Sequence, residues 1–133
     1  PANIDALIIP GGFGSAKNFS DWAFNGPDGT IIPEVKLLLV NLVNAGKPVA
    51  ALCVSPVLVA KALEGSGITP SLTLGNSKDK SPYEIDGFHN GVKKTGALSQ
   101  EKTLQEVLVD TENKIVTAPC YMMDANILEI RNN

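Results

Sequence analysis

VAALCVSPVLVAK, residues 49–61, sets a cysteine between a short apolar run and a run with helical spacing. Residues 48–52 have the length and apolarity of a buried parallel strand. Ser55, a candidate cap, and Pro56 then open a helix through Leu63, closed by Gly65 and Gly67. Cys53 therefore falls on a strand-to-helix turn. Two readings stay open there. Free cysteine is among the most buried residue types, so it can be a packing thiol. A sharp turn of this kind also displays a nucleophile. Val54 and Ser55 follow, neither of them glycine, so the elbow reading rests on position more than on neighbours. The helix N-terminus, with its partial positive charge and free N–H groups, favours a thiolate.

Working outward, residues 4–10, apolar apart from Asp5, form a second short run, stopped by Pro10-Gly11-Gly12. Residues 13–33, rich in glycine and proline, read as a long loop. Val35, Leu38, Leu39, Leu42 and Val43 fall at helical spacing, with Gly46 as the stop. Residues 68–74 read as a strand, 76–82 as a polar surface loop, and 83–95 as a weak helix interrupted by Gly87 and Gly91. Residues 107–109 and 115–118 flank a polar turn and predict a hairpin; 122–130 predict a last helix. Short apolar strands alternating with helices make one α/β domain spanning 1–133. Such sheets bind ligands beyond the carboxyl ends of their strands. The Gly11-Gly12 turn and Cys53 both lie there, and that turn offers backbone N–H groups to an oxyanion.

Composition narrows the function. The chain has 133 residues, 44% hydrophobic and 19% charged, with a net charge of -3 and a pI near 5.0. No basic stripe suggests nucleic acid. No apolar run approaches the ~20 residues of a membrane helix. The opening PANIDALIIP lacks the basic start and cleavage site of a signal peptide. Two cysteines, Cys53 and Cys120, make no disulfide framework, so a reducing cytoplasmic setting is expected. No His/Cys/Asp cluster resembles a metal site, and no cofactor is called for.

Three blocks add a resemblance: DALIIPGGFGSAKNFS, AGKPVAALCVSPVLVAK and NKIVTAPCYM, in that order along the chain. They resemble the ElbB family, the enhancing-lycopene-biosynthesis proteins of the PfpI-like, class I glutamine amidotransferase-like superfamily. The resemblance implies a flavodoxin-like three-layer α/β sandwich with a mainly parallel sheet and Cys53 on the elbow. It further implies an oxyanion hole from the N–H groups of Gly12 and Val54, with Gly11, Lys17 and Asn18 bordering the pocket. For Lys17 and Asn18, a solvated loop is the competing reading.

The pattern departs from the family in three places. Family members are longer, and their first strands precede the matched blocks, so a sheet incomplete at its N-terminal side is expected. In the related Parkinsonism-associated deglycases that part holds a carboxylate facing the cysteine. Glutamine amidotransferases of the superfamily place a histidine after a late strand, where this chain reads Thr117-Ala118-Pro119. The lone histidine, His89, is expected on the surface. Cys120 stands where alanine is frequent, and a packing thiol is favoured over a redox partner for Cys53. Tyr121, Met122 and Met123 are expected to line core and pocket.

The leading functional expectation is glyoxalase-like chemistry on 2-oxoaldehydes, by a protein linked to isoprenoid production. The alternative is a non-catalytic redox sensor using Cys53. A glutaminase is disfavoured, since no base stands ready for the cysteine. Expected partners are a small aldehyde and either a second copy or an N-terminal fragment, because residues 4–9 read as a central strand lacking neighbours.

Overall fold

The structure, a computed structural model, describes residues 2–133. A four-stranded sheet runs in the order β1 (Leu7–Ile9), β2 (Val49–Leu52), β6 (Ile115–Ala118), β5 (Leu108–Asp110). β1, β2 and β6 are parallel, with Leu7 opposite Val49 and Leu52 opposite Ala118. β5 joins β6 antiparallel, which confirms the hairpin around the polar turn. Helices cover both sides of this mainly parallel sheet, in a flavodoxin-like arrangement.

β3 (Ser71–Leu72) and β4 (Leu98–Ser99) form a small parallel pair of their own. β3 reaches the main sheet through side chains rather than a backbone ladder. The Ser71 N–H donates to Asp110 Oδ2 at 2.8 Å, and the Thr73 N–H to Thr117 Oγ1 at 3.1 Å. The strand expected over 68–74 is only two residues long, and side-chain acceptors of the main sheet take the N–H groups of Ser71 and Thr73.

The segment 13–33 is not the open loop that its glycines suggest. It holds α1 (Phe13–Asn18) and α2 (Trp22–Asn25), then a 3-10 turn at Gly26–Asp28. Side chains fix these short pieces. Ser20 Oγ donates to the Ala16 carbonyl at 2.9 Å and accepts from the Trp22 N–H at 3.2 Å. Asp21 accepts from the Thr30 N–H, a bond that is the main cause of its lowered carboxyl pKa.

α3 (Pro33–Asn44) opens on proline, buries Leu39, Leu42 and Val43, and stops at Gly46, where φ is 70°. The N–H groups of Gly46 and Lys47 return to the Val43 and Leu42 carbonyls, closing its C-terminus. α4 (Pro56–Leu63) is buried at all eight positions, as an apolar-faced core helix must be. Its one charge, Lys61, is matched by the Pro27 carbonyl at 2.8 Å and Glu64 at 3.0 Å. α3 and α4 pack together over β2, while α5 (Ile85–Lys94) lies against α4 and β4.

The last helix also differs from its expected span. Residues Cys120–Met122 make a 3-10 turn, Met123 is extended, and α6 covers only Ile127–Asn132. Asn126 explains the late start. Its side chain accepts from the Leu128 and Glu129 N–H groups, and Glu129 returns the bond to the Asn126 N–H. Met122 and Met123 are buried as expected, with Met123 over Gly75, but Tyr121 is 48% exposed.

Candidate functional site

Cys53 leaves β2 with its backbone in the left-handed region, at φ 61°. A residue with a Cβ adopts that conformation only when its surroundings hold it there. Here the Cys53 N–H donates to the Ala118 carbonyl of β6 at 3.0 Å, and the Ser55 N–H turns back to the Leu52 carbonyl at 3.0 Å. Cys53 is half-buried, and Val54 and Ser55 are fully buried. The turn is tight, anchored on both flanks, and opens directly into α4.

Gly11 faces this turn at very close range. A Cβ placed on it would stand 2.4 Å from Cys53 Cβ and 3.2 Å from Cys53 Sγ. Gly12, at φ 101°, caps α1. Among the described residues, no hydrogen bond takes up the N–H of Gly12 or of Val54.

Ser55, expected as a helix cap, makes no capping bond. Its hydroxyl donates instead to the Pro10 carbonyl at 3.0 Å and meets Ser15 Oγ at 3.0 Å. Ser15 Oγ also lies 2.8 Å from the Gly12 carbonyl, and its one proton serves either that carbonyl or Ser55 Oγ. Two buried hydroxyls thus bolt the elbow to the Gly11-Gly12 turn. Sequence reasoning missed this link. Its only signal was a serine two residues after the cysteine and another three after Gly12.

Lys17 and Asn18 stand at the exposed C-terminal end of α1, and neither hydrogen-bonds to the elbow. Cys120 does come close. It follows β6 as Cys53 follows β2, also left-handed, at φ 49°. Its N–H donates to Asn133 Oδ1 at 2.8 Å. Half burial raises its thiol pKa first; the charge of a Cys53 thiolate adds to this, and a Cys53 backbone N–H opposes it. Cys120 is thus a neighbour of Cys53 rather than a core thiol.

His89 overturns its surface assignment, being only 5% exposed. The Gly75 carbonyl can only accept, so His89 Nε2 carries a proton and donates to it at 3.0 Å. Nδ1 pairs with Ser99 Oγ. Both ring nitrogens are engaged in holding β4 and the turn after β3. Thr117, in the late strand, accepts the Thr73 N–H at its hydroxyl oxygen. Neither residue hydrogen-bonds to the Cys53 sulfur.

Clefts of about 410 and 440 Å³ open elsewhere, one beside Lys80, Leu104 and Asp124, the other beside Ser77, Lys93 and Glu101. Among the described residues, no three His, Cys, Asp or Glu side chains gather to hold a metal ion. Among the described residues, no helix is long and apolar enough to cross a membrane.

A parallel sheet with a cysteine elbow beside a Gly-Gly turn is a class I glutamine amidotransferase-like fold. An isoprenoid biosynthesis protein with an amidotransferase-like domain from Ehrlichia chaffeensis superposes with a TM-score of 0.79 at 28% identity. The match covers 99% of this chain and 55% of that one. The chain is 40% identical over 126 residues to human glutamine amidotransferase-like class 1 domain-containing protein 3, mitochondrial. That alignment covers 92% of this chain and 45% of the human protein. A rat mitochondrial ES1 protein homolog is 38% identical over 134 residues, covering 98% of this chain and 48% of the homolog. The chain spans about half the length of these relatives. No family model matches it.

Proposed function

We propose that the chain is an ElbB-type protein whose Cys53 is the nucleophile of a glyoxalase-like reaction on 2-oxoaldehydes, with a role linked to isoprenoid production. The observation that carries the reading is the left-handed Cys53 pressed against Gly11, beside two untaken backbone N–H groups. The isoprenoid link is supported by the Ehrlichia chaffeensis relative.

In this reading the Cys53 thiolate adds to the aldehyde carbon and forms a hemithioacetal. The N–H groups of Gly12 and Val54 stabilise the oxyanion. A base then takes the proton from that carbon, giving an enediolate, and the neighbouring carbon is protonated. The resulting thioester is hydrolysed by water, releasing a 2-hydroxy acid and the free thiol. Among the described residues, no carboxylate or imidazole hydrogen-bonds to the Cys53 sulfur. The family resemblance assigns the base to a carboxylate outside the matched blocks. A compartment that keeps thiols reduced suits Cys53 and Cys120, both free.

The test is to supply methylglyoxal and follow lactate, with Cys53→Ala in parallel. Lactate that depends on Cys53 supports the reading. Lactate formation undiminished in Cys53→Ala, or none in the unaltered chain, overturns it.

We also propose that β1 is covered either by a second copy of the chain or by an N-terminal fragment. Among the described residues β1 pairs only with β2, and Ile8 is 67% exposed. An open strand edge with an apolar face is a template for association.

A further inference from the structure

We infer that Cys53 and Cys120 form a reversible disulfide that closes the nucleophile under oxidising conditions. The geometry comes from the sheet. Leu52 and Ala118 are register partners on adjacent parallel strands. Cys53 is one residue past the first, and Cys120 two residues past the second. Parallel neighbours run about 4.8 Å apart, and a disulfide spans about 4.4–6.8 Å between Cα atoms. Both cysteines are left-handed, which turns each chain sharply as it leaves its strand. Cys53 Sγ now rests towards Gly11, on the β1 side, so closure needs a rotation about its Cα–Cβ bond.

The order of events follows from the surroundings. Burial first, and the charge of a Cys53 thiolate second, push the Cys120 thiol pKa up, whereas Cys53 sits at the start of α4. Hydrogen peroxide is the oxidant. The Cys53 thiolate attacks one peroxide oxygen, the O–O bond breaks, and the thiolate becomes a sulfenic acid with release of hydroxide. Cys120 then attacks the sulfenic sulfur as its own proton leaves, and the second oxygen departs as water. The two thiols lose two protons and two electrons, and peroxide becomes two waters. A small dithiol reverses the bond by exchange. The bond itself needs no substrate; its effect as an off switch rests on the function proposed above.

The experiment treats the 133-residue chain with equimolar peroxide and maps peptides without reduction. The expected result is a Cys53–Cys120 linked peptide within one chain, a mass loss of two hydrogens, and full reversal by dithiothreitol. In Cys120→Ser, and in Cys120→Ala should that serine variant fold poorly, dimedone should instead trap a Cys53 sulfenic acid. Cys53 carried to sulfinic acid while Cys120 still alkylates would overturn the inference. So would a disulfide between chains. Because the map is read without substrate, it stands or falls apart from lactate formation. With activity present, peroxide should abolish it and dithiothreitol restore it.

Discussion

Gly11 and Cys53 are in contact so close that no side chain fits between them: a Cβ on Gly11 would lie 2.4 Å from Cys53 Cβ and 3.2 Å from the Leu52 carbonyl. Neither obstacle is the flexible end of a side chain, so the backbone itself must move. Gly11→Ala should therefore destabilise the fold by roughly 1–3 kcal/mol, the usual cost of overpacking. It should also slow Cys53 alkylation and lactate formation about tenfold or more, as misplaced reacting groups do. Urea unfolding and a labelling time course check the two effects separately. A Gly11→Ala chain with unaltered stability and labelling would contradict the contact.

The Ser55 hydroxyl ties this contact to the Pro10 carbonyl and to Ser15. Ser55→Ala removes the bridge and leaves buried polar atoms unmatched, at a cost of about 1–3 kcal/mol. The elbow should then loosen from the Gly11-Gly12 turn, so kcat should fall more than KM rises. A rise in KM alone would show that the bridge positions nothing at the reacting carbon.

Glutamine should not be hydrolysed. His89 is held between Gly75 and Ser99, Thr117 accepts the Thr73 N–H, and neither residue hydrogen-bonds to the Cys53 sulfur. Ammonia release from glutamine should match the Cys53→Ala background. His89→Ala should lower stability, because it strips a buried partner from the Gly75 carbonyl. Cys53-dependent ammonia release would show that another group has taken the role of base.

The parts of this site that were legible in the sequence are those written as local pattern. Residues 49–52 are a continuous apolar run, 115–118 are β-branched or apolar throughout, and Pro10-Gly11-Gly12 marks a chain stop, so the strands and the cysteine between strand and helix could be placed. What stayed hidden depends on contacts distant in sequence. α1 and α2 are set by Ser20, Asp21 and Thr30, whose bonds leave no periodic signature. His89 is buried by Gly75 and Ser99, which no helical pattern around it announces. Cys120 meets Cys53 only because β6 lies beside β2, a pairing across 66 positions at Leu52 and Ala118.

The open edge of β1 gives a further test. A chain whose Ile8 is 67% exposed on an unpaired edge should associate with a second copy. Light scattering on the mass-verified chain should give twice the 14.0 kDa chain mass. Ile8→Lys, which places a charge on that face, should shift it towards the single-chain mass. A soluble, folded single chain without any substitution would contradict the proposal.

The most direct test of the account is which cysteine reacts first. Limited iodoacetamide at neutral pH, read by peptide mass on the reduced folded chain, should mark Cys53 well before Cys120. Burial and the Cys53 charge raise the Cys120 pKa above its ordinary 9.0, so its thiolate is scarce at neutral pH. Cys120 labelling should therefore rise with pH and level off at higher pH in the folded chain than in the unfolded one. Cys53 labelled first at neutral pH is the result expected of an elbow nucleophile. Cys120 labelled first in the folded chain would contradict it.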